Sequence, residues 1–242
     1  MQQPTHNPAT AARSAVRGIS SMATRQLLTE LIAGFEKHSG HVVQMESVGG
    51  VDAAKRVAAG EAFDVVVLAS DAIDKLIASG HIIAGSKVDL VRSGVAVAVR
   101  AGAAHPDISS EAAVRAAVLA AKNLSYSTGP SGVALAKLFE RWGIVDTIKD
   151  RIVQAPPGVP VGTLVARGEV ELGFQQLSEL ISLQGIDLLG GLPPEIQIIT
   201  TFSAGVCAGS DKADAVGALL TYMNAPAADA IKQAQGMEPA RG

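Results

Sequence analysis

Cysteine, aromatic side chains and long apolar runs are all scarce in this chain, and each scarcity removes a class of function. One cysteine among 242 residues excludes an internal disulfide and any multi-cysteine metal site. That residue, Cys207, lies in the small-residue run from Ser203 to Gly209 and reads as a buried structural thiol. Aromatics amount to 3%, too few for platforms on which bases or sugar rings stack, so the core is built from Ala, Val, Leu and Ile. The histidines His6, His38, His41, His81 and His105 are scattered beside Gly, Pro or polar residues. They read as surface residues, and neither a metal nor another cofactor is expected. There is no nucleophile elbow and no Walker sequence.

No apolar run approaches the ~20 residues that span a bilayer, so membrane insertion is not expected. Residues Met1 to Thr10 lack the apolar stretch of a secretory leader, and the expected compartment is the cytoplasm, or the periplasm if a leader has been removed. The formal charge is -3, with Lys+Arg 20 against Asp+Glu 23. These charges are mixed along the chain without a basic stripe, which argues against nucleic acid and leaves a small polar ligand.

What is present is alternation. Short apolar runs and amphipathic segments follow one another throughout, the pattern of an α/β protein with mostly parallel sheets. Strands are expected over 15–19, 41–46, 63–68, 95–100, 123–127, 151–154, 171–175 and 196–202. Helices are expected from Leu27 to a stop at Gly40, then over 52–59, 71–79, 132–142, 161–166, 212–224 and 227–235. A fresh βα series after Arg100 suggests a crossing into a second lobe. The expected division is 1–94 with 196–242 for lobe 1, and 95–195 for lobe 2.

In open α/β sheets ligands sit beyond the carboxyl ends of strands, at helix amino ends. Four loops fit. Ser20, Ser21, Met22 and Thr24 place hydroxyls and amides before a helix, as a ligand contact does and as an ordinary helix cap does. Gly49 and Gly50 permit either a close backbone approach or a plain tight turn. Ser127, Thr128, Gly129, Ser131 and Gly132 combine three hydroxyls with two glycines ahead of a helix, a pattern that favours an anion. The segment Pro156 to Gly162, including Val161, is stiffened by proline. Gln175 and Gln176 end a buried strand, where an amide either faces the cleft or is solvated.

The stretches Phe35 to Gly40, Ala58 to Val65, Asp74 to Leu76, Ser127 to Gly132 and Gly168 to Gly173, in this order and spacing, resemble the molybdate-type solute-binding proteins of ABC transporters. The resemblance covers nearly the whole chain. It implies the two-lobed type II periplasmic-binding-protein fold, with an oxyanion held in the inter-lobe cleft by a serine at Ser20 or Ser21 and by amides near Ser131 and Val161. Two positions depart from the family: Gly50 stands where a glycine-flanked serine is expected, and Gln176 where a tyrosine is expected. Both remove hydroxyl donors.

The sequence also looks like a related branch containing aconitate isomerases, which implies a cofactor-independent isomerase of an unsaturated di- or tricarboxylate. The transporter alternative implies a permease partner. Moving a double bond beside carboxylates needs a base and donors for enolate-like charge. Glu46 and Glu179 are the candidate bases, and Arg25 and Arg92 are cations that could pair with a substrate carboxylate.

Overall fold

The computed structural model describes residues 15–156 and 158–241. Strand β1 (Val16–Ser21) passes through a 3-10 turn (Met22–Thr24) into helix α1 (Arg25–Ser39). Leu27, Leu28, Leu31, Ile32 and Phe35 bury one stripe of α1, the spacing of a helix packed on a sheet. Gly40 ends it at φ 66°, a left-handed conformation that glycine adopts without strain. Strand β2 (Val43–Val48), α2 (Gly50–Ala58), β3 (Val65–Ala69) and α3 (Ser70–Ala78) complete the first βα series. β3 is buried at every position, as a strand covered on both faces must be.

β4 (Val88–Arg100) then begins a second series: α4 (Glu111–Ala120), β5 (Leu124–Tyr126), α5 (Pro130–Arg141), α6 (Val145–Ile148), α7 (Val161–Ala166), β6 (Leu172–Gln176), α8 (Leu177–Leu180) and β7 (Ile186–Gly191). The chain returns through β8 (Ile199–Val206) and closes with α9 (Ala213–Met223), α10 (Asp229–Ala234) and the short β9 (Glu238–Pro239).

The strand order is β2-β1-β3-β8-β4-β6-β5, with β7 and β9 also on β4. β1 runs parallel to β2 and β3, and β5 parallel to β6, whereas β8 is antiparallel to β3 and β4, and β6 is antiparallel to β4. This is a mixed sheet, so the expected βα order holds within each series but not across β4 and β8. β4 changes partners midway: Val88 to Gly94 pair with β8, while Val95 to Ala98 pair with β6. The buried clusters sort likewise. Two contain only residues up to Val91 or from Phe202 onward, and three lie between Val95 and Ile196.

Two buried amides hold the crossing. Gln197 Oε1 accepts from Val95 N at 3.1 Å and from Ile198 N at 2.8 Å. Gln176 satisfies its neighbours when its amide is oriented with NH2 toward Ser93 O (3.1 Å) and Gly94 O (3.2 Å) and its oxygen toward Thr200 Oγ1 (2.8 Å), the assignment that the surrounding donors and acceptors require. Buried backbone groups need such partners where one ladder gives way to another.

Several elements differ from the sequence expectation for identifiable reasons. β4 starts at Val88 rather than Val95, because Asp89 and Arg92 interrupt its apolar pattern; Asp89 takes a hydrogen bond from Ser203 on the paired β8. Residues 151–154 form no strand, only a single bridge between Ile152 and Leu124 after a 3-10 turn. The late strand starts at Ile199, since Pro194–Ile196 form another such turn. α4 was not anticipated. Nor was β7, a half-exposed strand whose Gly190 and Gly191 break the pattern.

Cys207 is buried and free, and burial pushes its thiol up to about 12. His41 departs from a surface role by stacking on Phe35 with ring centroids 5.9 Å apart; His6 lies outside the described residues. Phe139, 1% exposed, meets the rings of Tyr126, Trp142 and Phe174 within the cluster built on the second half of β4. Phe139→Ala should therefore cost about 3–5 kcal/mol of stability in denaturant unfolding; a loss under about 1 kcal/mol would mean that this cluster repacks freely.

Candidate functional site

The first candidate loops lie at the carboxyl ends of β1, β2 and β3. Alternation along β1 separates its two terminal serines. Ser20 is fully buried with Oγ 2.8 Å from Ser47 Oγ, so its hydroxyl is committed within the lobe. Ser21 is 7% exposed, and its Oγ is buried without a hydrogen-bond partner among the described residues. A buried hydroxyl left unpaired is costly, and Ser125 Oγ shares this state among the described residues.

Gly49 precedes α2 and Gly50 opens it. A Cβ on Gly50 would come 3.5 Å from Ser21 Cβ, so Ser21 adjoins the helix end where backbone N–H groups lack intrahelical acceptors. Met22 is half-buried. Thr24 turns inward and donates to Ser21 O at 3.1 Å, closing the loop. Ser70 and Asp71 open α3 directly beyond β3. They were passed over in the sequence, although the strand-end rule that picked out the other loops applies to them.

The remaining candidate loops lie at the carboxyl ends of β5 and β6. Ser127 Oγ lies 3.1 Å from Ser131 Oγ; Ser131 is buried and Thr128 exposed. Gly129 precedes α5, and Pro130 enters its first turn, where a missing N–H costs nothing. At Gly132 a Cβ would fall 1.5 Å from Ser127 O. Only glycine lets the helix start so tightly against the strand end.

Val161, buried, opens α7, and the next residue, Gly162, donates its N–H to Gln175 Oε1 at 3.1 Å. Gln175 Nε2 donates in turn to Glu179 Oε2 at 2.7 Å. One residue before Glu179, Ser178 Oγ donates to Ala23 O at 2.9 Å. α8 is thus tied on one side to the loop that carries Ser21 and on the other to the start of α7. Glu179, half-buried, lies on this bridge. Burial pushes its carboxyl up to about 7, with the Gln175 hydrogen bond pulling the other way.

Other candidates are placed elsewhere. Gln176 is spent on the crossing strands described above. Glu46 is exposed and holds Arg56 with both oxygens, at 2.7 and 3.0 Å, while Arg56 also binds Glu61. The hydrogen bond from Arg56 keeps the Glu46 carboxyl below its usual range, the opposite of what a base needs. Arg25 lines a groove of about 550 Å3 between α1 and β2, with Thr29, Glu36 and Ser47. Arg92 reaches Pro239 O at 3.4 Å. Among the described residues no group of three His, Cys, Asp or Glu is placed to hold a metal ion, and no helix is long and apolar enough to cross a membrane.

Comparison with known proteins accords with this layout. Residues 16–238 match the family described as bacterial extracellular solute-binding protein. The chain belongs to this family. Within it, a relative from a Pseudomonas species, an aconitate isomerase, is 37% identical over 229 residues, covering 91% of this chain and 86% of the relative. The periplasmic molybdate-binding protein of Azotobacter vinelandii superposes with a TM-score of 0.77 at 21% identity, covering 93% of this chain and 100% of that one. The sulfate-binding protein of Mycobacterium tuberculosis superposes at 0.76 with 15% identity, over 94% of this chain and 87% of that one. The fold is therefore the two-lobed periplasmic-binding-protein fold with a cleft between the lobes.

The displaced acidity of Glu179 has a consequence for stability. The folded protein keeps the carboxyl protonated up to about 7, whereas an ordinary glutamate ionises near 4.5. Between these values the native state binds the extra proton, so stability falls as pH rises through this window and stays lower above it. Glu179→Gln should leave Tm unchanged at about pH 5 and raise it at about pH 8.5, as read by thermal unfolding. An equal Tm difference at both values would remove the buried charge as the cause.

Proposed function

We propose that this solute-binding-family member is an isomerase that interconverts the cis and trans forms of a small unsaturated tricarboxylate of the aconitate type. The observation that carries the reading is Glu179, a carboxyl raised to about 7 on a helix bonded to both ligand loops through Ser178 and Gln175. A base whose pKa lies near the working pH suits proton abstraction beside a carboxylate. The 37% identity to an aconitate isomerase supports the same chemistry.

In this reading the lobes are 1–94 with 196–242, and 95–195. Ser21 Oγ and the α2 amide end hold one substrate carboxylate, and the α5 amide end with Ser131 holds another. Glu179 takes a proton from the substrate methylene. The electron pair shifts the double bond by one position, and the developing charge spreads onto the carboxylates under the N–H donors. A proton returned to the former vinylic carbon completes the exchange, with no net gain or loss of protons. Glu46, bound to Arg56, takes no part. Gln176 acts on the crossing rather than on the substrate.

A transporter reading, in which the lobes close on an anion without chemistry and hand it to a permease, draws support from the molybdate- and sulfate-binding neighbours. The readings also differ in compartment: the cytoplasm for the enzyme, and outside the inner membrane for a transporter component. Incubation with cis- or trans-aconitate, followed by NMR, should show interconversion, with Glu179→Gln lowering the rate by about 100-fold or more while calorimetric affinity stays within a few-fold. Ser21→Ala should weaken binding about 10-fold, the worth of one charge-assisted hydrogen bond. Tight binding of molybdate or sulfate with no interconversion would return the protein to solute capture.

A further inference from the structure

Gln175 is 4% exposed, and its backbone is fixed within β6 by pairing with Ala96 of β4. One end of its amide lies 3.1 Å from Gly162 N and the other 2.7 Å from Glu179 Oε2. A backbone N–H can only donate, so the end facing α7 must be the oxygen. The end facing Glu179 is then necessarily NH2, and the pair has one polarity. Close packing reinforces it: a Cβ on Gly162 would come within 2.6 and 2.8 Å of Leu183 and Leu180 and 3.8 Å of Gln175 Oε1.

Among the described residues no charged neighbour competes for Glu179. It is the one ionisable residue of α8. Of the elements packed against that helix, β6 and the Met22–Thr24 turn carry no ionisable side chain, and β4 has only Asp89, Arg92 and Arg100. Asp89 accepts from Ser203 and Arg92 reaches Pro239 O. α7 carries none. Lys232 on α10 is fully buried with Nζ directed at Leu90 O, 3.0 Å away. The orientation of the Glu179 carboxyl thus rests on a neutral amide.

We propose that Gln175 is a positioning residue: pinned by Gly162 N–H, its amide can present only donors to Glu179, and it thereby engages Oε2 and leaves Oε1 to face the ligand. The catalytic meaning of this rests on the isomerase reading, but the tether between the two side chains does not. Gln175→Glu keeps an acceptor for Gly162 N–H but sets a second carboxyl against Glu179, so it serves as the control for like-charge coupling. Gln175→Met removes both the acceptor and the donor.

The test is a carboxyl-13C NMR titration of Glu179 in the wild type and both variants, with circular dichroism to establish folding, beside pH profiles of aconitate interconversion. Loss of the donor should move the Glu179 midpoint upward by about one pH unit and carry the acid limb of the rate with it, while calorimetric affinity changes less than about 3-fold. If Gln175→Met fails to fold, Gln175→Leu, equally without a donor or a charge, takes its place. An unmoved midpoint in a folded variant overturns the positioning role even if the wild type isomerises aconitate. A moved midpoint in a protein without turnover upholds the tether and removes the isomerase reading instead.

Discussion

The structure depends on one strand serving two ladders. β4 runs unbroken for 13 residues, and between Gly94 and Val95 its hydrogen-bonding partner changes from β8 to β6. A backbone that leaves one sheet for another inside a protein must find partners for its N–H and C=O groups without water. Gln197 supplies an acceptor for Val95 and Ile198, and Gln176 supplies donors for Ser93 and Gly94. With those groups satisfied, β4 continues from the first ladder into the second without a break.

The cleft is polar without being strongly cationic. Of the candidate cations, Arg92 is drawn to the chain end and Arg25 lies in the outer groove, while Arg56 is fully engaged with Glu46 and Glu61. What remains for an anion is hydroxyls and helix amide ends, whose partial charges are already oriented and need no counterion. Ser21 Oγ is one buried hydroxyl without a partner among the described residues.

Glu179 differs in kind from the other candidate base, Glu46, and from Glu61 beside it. Glu46 and Glu61 carry hydrogen bonds from Arg56 that favour the ionised form, whereas Glu179 has only a neutral amide to set against its burial. Environment alone separates two chemically identical side chains into an exposed ion pair and a buried carboxyl of raised pKa.

The sequence by itself determined the layer pattern, the helix stops and the loops beyond the strand ends, because these follow from local periodicity and from glycine at Gly40 and Gly60. Motif order sufficed for the family and the fold. It did not determine which hydroxyl is free: Ser20 and Ser21 are adjacent and identical in type, and only the pairing of β1 with β2 sends Ser20 to Ser47 and leaves Ser21 unpartnered. Gln175 and Gln176 pose the same ambiguity, resolved when strand alternation turns one toward α7 and the other toward the crossing. Glu46 and Glu179 looked equivalent for a related reason, since burial and ion pairing are properties of neighbours brought together from distant parts of the chain. Tertiary structure decides wherever the deciding partner lies far away in sequence, as Thr200 does for Gln176 and Ala23 for Ser178.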